Sequence, residues 1–286
     1  MRGAVLLLLI ALPGPSRAAD PPADAPARTK RERLLEIYTH EAAGYVIYRD
    51  PARTEKVELR RQPVFSWTNP VRSGGQDGEV FVWTCRGRAE VIGTFFSDPA
   101  TGPRNLNHEL HSLSTAKLEV SRDGDHTWSP EAAGVEPAPI PDAPAPAGTA
   151  AARLAQMREA TRDFAATTED QKGEQWQLRI LPRPLFRYAS TDPDVADGAV
   201  FAYVTSAGTD PEVILILEAR KSAGGSAATW HYAVARFTDL NFRVTLKGKE
   251  VASGRYLPWG APSQDPQERY RTFHDRDIPP VEDPAP

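Results

Sequence analysis

Beyond its N-terminus the chain is organised around an apolar stretch, Val80-Phe81-Val82-Trp83-Thr84, preceded by Asp77-Gly78-Glu79 and followed after a short break by Glu90-Val91-Ile92. The same order returns as Asp197-Gly198-Ala199-Val200-Phe201-Ala202-Tyr203-Val204-Thr205, then Glu212-Val213-Ile214. Each copy predicts a tight turn at Asp-Gly, an apolar strand, a Gly-containing turn and a second apolar strand. Alternation places Val80, Val82 and Thr84 on one face, and Phe81, Trp83 and Cys85 on the other. Neither face is polar, so the pattern predicts a sheet covered on both sides.

Helical spacing occurs in two places. Leu35, Tyr38, Ala42 and Tyr45 fall on one face of a helix predicted from Thr29 to Tyr45, and Leu154, Met157, Thr161 and Phe164 do so from Thr149 to Thr167. Extended runs follow each helix, and they match in order. Leu35 corresponds to Leu154, Leu59-Arg60 to Leu178-Arg179, Pro63-Val64-Phe65 to Pro184-Leu185-Phe186, and Trp67 to Tyr188. An ordered series at nearly constant offset predicts an internal duplication. The expected fold is α+β, with two tandem units of one helix plus about four antiparallel strands each. These would be cystatin- or NTF2-like cones forming a pseudo-dimer. The pattern leaves open whether their sheets pack face to face or edge to edge.

The remaining segments set the boundaries. Arg2, the apolar run Ala4 to Leu12 and the small residues around Ala18 read as a signal peptide over 1–19, and hence as export to the periplasm, cell envelope or exterior. Residues 20–28 read as a flexible lead-in, 29–130 as the first unit, 131–148 as a Pro/Ala-rich linker, 149–261 as the second unit and 262–286 as a disordered tail. The N-terminal apolar run is too short to span a bilayer. A net charge of −4 without a basic stripe predicts no nucleic-acid partner. Cys85 is the sole cysteine, which excludes an internal disulfide and reads as a buried, inert thiol.

Chemistry is sought where the copies differ. The second half has Tyr232-Ala233-Val234-Ala235-Arg236 where the first has His108-Glu109-Leu110-His111-Ser112. Residues three apart on a strand face opposite sides, so His108 and His111 do not predict a shared metal ion. In the structural alternative His111 lines a partly polar core and His108 faces solvent. Trp67, Asn69, Trp83, Glu90, Glu109 and His111 are candidates for a ligand pocket in the mouth of the first cone, although ordinary core and turn packing uses the same residue types. Asp77 and Asp197 read as hairpin-turn residues. There is no Gly-x-Ser-x-Gly elbow, Gly-rich phosphate loop, Cys-x-x-Cys pair or calcium-loop signature, so no catalytic residue, cofactor or metal is predicted.

The segments Phe65–Pro70, Asp77–Arg88, His108–Leu113 and Ala207–Val213 resemble a family of uncharacterised exported proteins of planctomycete bacteria. The resemblance implies a bacterial, exported, duplicated α+β protein and carries no activity with it. The function expected is a non-enzymatic binding or interaction module for a protein or small-molecule ligand. The alternatives are a hydrolase or isomerase acting through His111 with Glu109 or Glu90, and a structural scaffold of the cell envelope.

Overall fold

The computed structural model describes residues 28–72, 75–98, 103–123, 126–221 and 227–281. The expected signal peptide and nearly all of the lead-in lie outside them. The first half runs α1 (Lys30–Ala43), β1 (Tyr45–Tyr48), β2 (Lys56–Leu59), β3 (Phe65–Asn69), β4 (Gln76–Cys85), β5 (Arg88–Asp98), β6 (Arg104–Ser112), β7 (Glu119–Arg122) and β8 (His126–Trp128). The second runs β9 (Ala138–Pro139), α2 (Ala150–Ala160), β10 (Phe164–Glu169), β11 (Gln175–Ile180), β12 (Phe186–Tyr188), β13 (Val195–Val204), β14 (Pro211–Lys221), β15 (Ala228–Arg236), β16 (Asn241–Leu246), β17 (Lys249–Gly254) and β18 (Tyr270–Ile278).

These strands form two curled antiparallel sheets, each nine-stranded. The expectation of two α+β cones, each a helix with about four strands, is therefore corrected. Strand dominates, and each helix is short. The shortfall has local causes: the helix predicted from Thr149 to Thr167 covers the start of β10, and β9 and β18 come from segments read as linker and tail. The helices also end early. α1 starts where expected, with Thr29 capping Glu32 in a reciprocal capping box, but Tyr45 already belongs to β1. α2 stops at Ala160, and the Thr- and Phe-containing run that follows passes through one 3₁₀ turn into β10.

The strand orders coincide. One sheet reads β6-β5-β4-β2-β1-β7-β8 with β3 on β4, the other β15-β14-β13-β11-β10-β16-β17 with β12 on β13. β18 extends the first sheet beyond β6, and β9 extends the second beyond β15. The sheets pack face to face through Val80, Val82, Ile92 and Phe96 on one side, and Val200, Ala202, Ile214 and Ile216 on the other. On the outer face of the first sheet, Phe81, Trp83, Phe95 and Leu110 pack with Leu34, Tyr38 and Ala42 of α1. Phe201, Tyr203, Leu215 and Trp230 form the corresponding layer in the second sheet with Met157 of α2. Cys85 is buried in the α1 layer, and burial pushes its thiol above the ordinary range, as suits an inert core residue.

The Asp-Gly pairs are not turns. Both lie within long strands, where Gly78 pairs with Trp67 and Gly198 with Tyr188. A Cβ on Gly78 would stand 2.6 Å from the Trp67 ring, and one on Gly198 would stand 2.5 Å from Tyr188 Cζ. Glycine is needed so that an aromatic ring can lie across the strand. Gly78→Ala and Gly198→Ala are each expected to lower stability by about 1–3 kcal/mol in guanidinium titrations. Gly148→Ala, with no atom within 4 Å of its Cβ, serves as the near-neutral control.

Two segments expected to be loose are packed. The supposed linker buries Val135 and Ile140, and Ile140 N–H donates to Trp230 O at 2.8 Å. The supposed tail contains β18, whose pairing with β6 runs from Tyr270 opposite His111 to Ile278 opposite Arg104. β18 also explains a further correction. His108 does not face solvent; it is fully buried between Phe95 and Phe273, and its Nδ1 lies 2.9 Å from the Tyr45 hydroxyl.

Candidate ligand-binding cleft

β5 and β6 lay three cross-strand pairs on the face opposite α1: Thr94 with Glu109, Phe96 with Asn107, and Asp98 with Asn105. These pairs are the floor of a cavity of about 520 Å³ between the sheets. Trp67 of β3 closes one side, its indole N–H donating to Thr94 Oγ1 at 2.8 Å. The facing wall comes from the second half: Asp210 and Pro211 where β14 begins, and Phe237 to Leu240 after β15. Trp259, 42% exposed, stands at the rim edge-on to Phe96, with ring centroids 5.9 Å apart.

The walls are clamped across the sheets. Thr209 N–H donates to Thr68 O at 2.9 Å, and Asn69 Nδ2 donates to both Asp210 carboxylate oxygens at 3.1 Å. Arg72 bridges Asp210 and Glu212, each at 3.0 Å. Glu109 is buried at the base of the cleft and accepts the Tyr270 hydroxyl at 2.6 Å. Burial, reinforced by Glu212 and Asp239, pushes Glu109 up to about 8, so it carries its proton at neutral pH. Burial likewise raises Glu212 to about 7 and lifts Asp239 above the ordinary range.

The second sheet has an equivalent face, fixed by register. Gly78 pairs with Phe96 and Gly198 with Glu218; Val80 pairs with Thr94 and Val200 with Ile216. Following those pairs outward puts Ala233 where the first sheet has Glu109. There the space is filled by Ile216, Ala233, Leu113 and Val135. Glu218, at the place of Phe96, is held by Arg88 at 2.7 Å, by the Tyr188 hydroxyl at 2.6 Å and by Arg220 at 2.6 Å.

Of the six residues predicted for a pocket, Trp67 and Glu109 line the cleft and Asn69 stands directly behind its wall. Trp83 lies on the other face, in the α1 core. Glu90 belongs to an ion cluster with Arg88 and Arg49 elsewhere between the sheets. His111 shares the face of Glu109 but lines a neighbouring cavity with Arg236 and Tyr270, and burial pushes it down to about 3, leaving it neutral. Arg72, Asp210, Asp239 and Trp259 were not singled out. Nothing in their segments marks them as site residues, and the packing of one half against the other brings them to the cleft.

Among the described residues, one group has metal-ligand spacing: Glu41, His108 and Asp275, each offering an atom within 4.8 Å of the others. The group does not suit a cation. Arg122 donates to Glu41 Oε2 and to Asp275 Oδ1, and Arg276 donates to Glu41 Oε1 and Asp275 Oδ2. These guanidiniums occupy the oxygens an ion would need, and the cluster instead ties α1, β7 and β18 together. No membrane-spanning helix occurs among the described residues. Comparison with protein-family models, with curated proteins and with solved structures finds no match.

Proposed function

We propose that this protein is an exported, non-enzymatic binding module whose small-molecule ligand sits in the cleft between the two sheets. The observation that carries this reading is the asymmetry of two register-equivalent faces. Thr94 and Glu109 open the first, while Ile216 and Ala233 fill the second. Both faces bury a carboxyl, but Glu218 on the second is held by Arg88, Arg220 and the Tyr188 hydroxyl, whereas Glu109 on the first faces a cavity with the Tyr270 hydroxyl as its hydrogen-bond partner. A scaffold would have no use for that difference, since burying a polar group without full compensation costs stability. The shared strand order favours a common origin for the halves, with the site kept by one copy. Export to the periplasm or envelope belongs to the same proposal and rests on the N-terminal pattern of the sequence.

A second reading is favoured by one contrast. Glu109 holds its proton, while Asp210 is paired with Arg72 and Asn69. A carboxyl that keeps its proton and a second one held by a guanidinium can divide acid and base roles in a hydrolase or isomerase.

Native mass spectrometry of the full chain, followed by a thermal-shift screen of small polar molecules, tests both readings. A retained or stabilising ligand is expected, and the double variant T94I/E109A, which copies the second face, should weaken it at least tenfold. Ligand binding untouched by that variant would remove the cleft from the proposal. Turnover of a bound compound, abolished in Glu109→Gln, would replace the binding reading by the enzymatic one.

A further inference from the structure

Resting on the reading of the cleft as a ligand site, we propose that its ligand is a small organic cation, an ammonium or guanidinium group carried on an apolar body. The first argument is the balance of donors and acceptors. Several amide nitrogens in and beside the cleft already donate within the protein: Gln76 Nε2 to Asp98 at 2.5 Å, Asn107 Nδ2 to Asn105 O at 3.1 Å, and Asn69 Nδ2 to Asp210. What the cleft presents is chiefly carboxyl oxygen, from Asp98, Glu109, Asp210 and Asp239. Against these four carboxyls the lining sets Arg72, already bridging Asp210 and Glu212, and His274, which lies 3.2 Å from Asp277.

The second argument is charge. Arg72 divides its guanidinium between Asp210 and Glu212, and among the described residues neither Asp98 nor Asp239 forms an ion pair. The third is the nature of the walls. Trp67, Phe96 and Trp259 give the cleft aromatic surface, which attracts cations through the ring quadrupole and packs against apolar bodies. A bare metal ion fits poorly, because these carboxyls are not among the groups whose ligand atoms come within metal-binding spacing.

Isothermal titration of the full chain with tyramine, agmatine and spermidine, each against a neutral hydroxyl counterpart, tests the assignment. At least one cation is expected to bind tenfold or more tightly than its counterpart, and Asp239→Asn should weaken it severalfold. Affinity should also rise with pH up to about 8, because a bound cation favours release of the Glu109 proton. The charged and titratable groups around Glu109 are Tyr270 from β18, Glu212 from β14, Arg236 from β15, and Arg72 and Asp239 from the flanking loops. Of these, Glu109 and Glu212 are the groups placed near neutrality. The variant E109Q should bind the cation with a weaker pH dependence.

Cellobiose or another neutral polyol binding in the cleft while every cation fails would overturn the cationic assignment and leave the binding reading intact. Equal binding of calcium or manganese alone would overturn its organic character. If no co-purified or screened compound of any charge binds the folded chain, the binding reading falls with it.

Discussion

Replacing Arg88 by methionine is expected to cost roughly 3–5 kcal/mol of folding stability, the range for removing one partner from a buried ion pair. Arg88 is 1% exposed and lies between the sheets. Its Nε donates to Glu218 Oε1 at 2.7 Å, its Nη1 donates to Leu113 O at 2.9 Å, and the same nitrogen lies 3.2 Å from Glu90 Oε2. Methionine fills much of the volume and satisfies none of these groups. The two glutamates differ in what remains to them. Glu218 keeps Arg220 and the Tyr188 hydroxyl, both at 2.6 Å, whereas the guanidinium left to Glu90 is Arg49, at 3.6 Å. The double variant Arg88→Met/Glu90→Leu should therefore recover more stability than Arg88→Met/Glu218→Leu. Urea denaturation of the three variants checks this order. A single Arg88→Met variant within 1 kcal/mol of the parent would show that the cluster does not pin the sheets together.

The same cluster shows where sequence reading works and where it stops. Alternation assigns Val80 and Val82 to one face and Phe81, Trp83 and Cys85 to the other, and these are the inter-sheet and α1 faces observed, because strand period is a local property. The divergence at His108 to Ser112 pointed to Glu109, because a buried polar residue in one of two matched segments is visible without coordinates. The role of Asp77-Gly78 was not visible: glycine there answers to Trp67 from another strand, and that approach is a tertiary fact. β9 and β18 were missed because both come from segments whose prolines and charges read as loop, while their pairing depends on edges built far away in the chain. The far wall of the cleft was hidden for the same reason. Asn69 and Asp210 are 141 positions apart, and nothing in either neighbourhood announces the other.

Stability is expected to be greatest in mildly acidic solution, near about pH 6, and to fall as the pH rises toward 9. The alkaline limb follows from Glu109 and Glu212. Burial raises them from 4.5 to about 8 and about 7, so through that window the folded chain holds protons that the unfolded chain has released. Stability must then decline with rising pH, by ~3–5 kcal/mol for Glu109 alone. The acid limb has the opposite sign and begins with the buried histidines: burial lowers His111 from 6.5 to about 3 and lowers His108, so their contribution is complete above 6.5 and is lost as the pH falls below it. Burial opposes ionisation of Glu41 and Asp275, but hydrogen bonds from His108 and Arg276 to the first, and from Arg122 to the second, bring both down to about 2. Their contribution is complete above the ordinary values of 4.5 and 3.8 and is lost as the pH falls toward 2. Glu109→Gln separates the limbs, since the amide oxygen still accepts the Tyr270 hydroxyl while nothing titrates. Chemical denaturation between pH 3 and 9 should show the acid limb unchanged and the alkaline limb flattened, with the variant more stable than the parent at pH 9. An alkaline limb of equal slope in parent and variant would mean that Glu109 is already ionised in the folded protein at neutrality. The cleft would then carry one more negative charge than its protonated form implies.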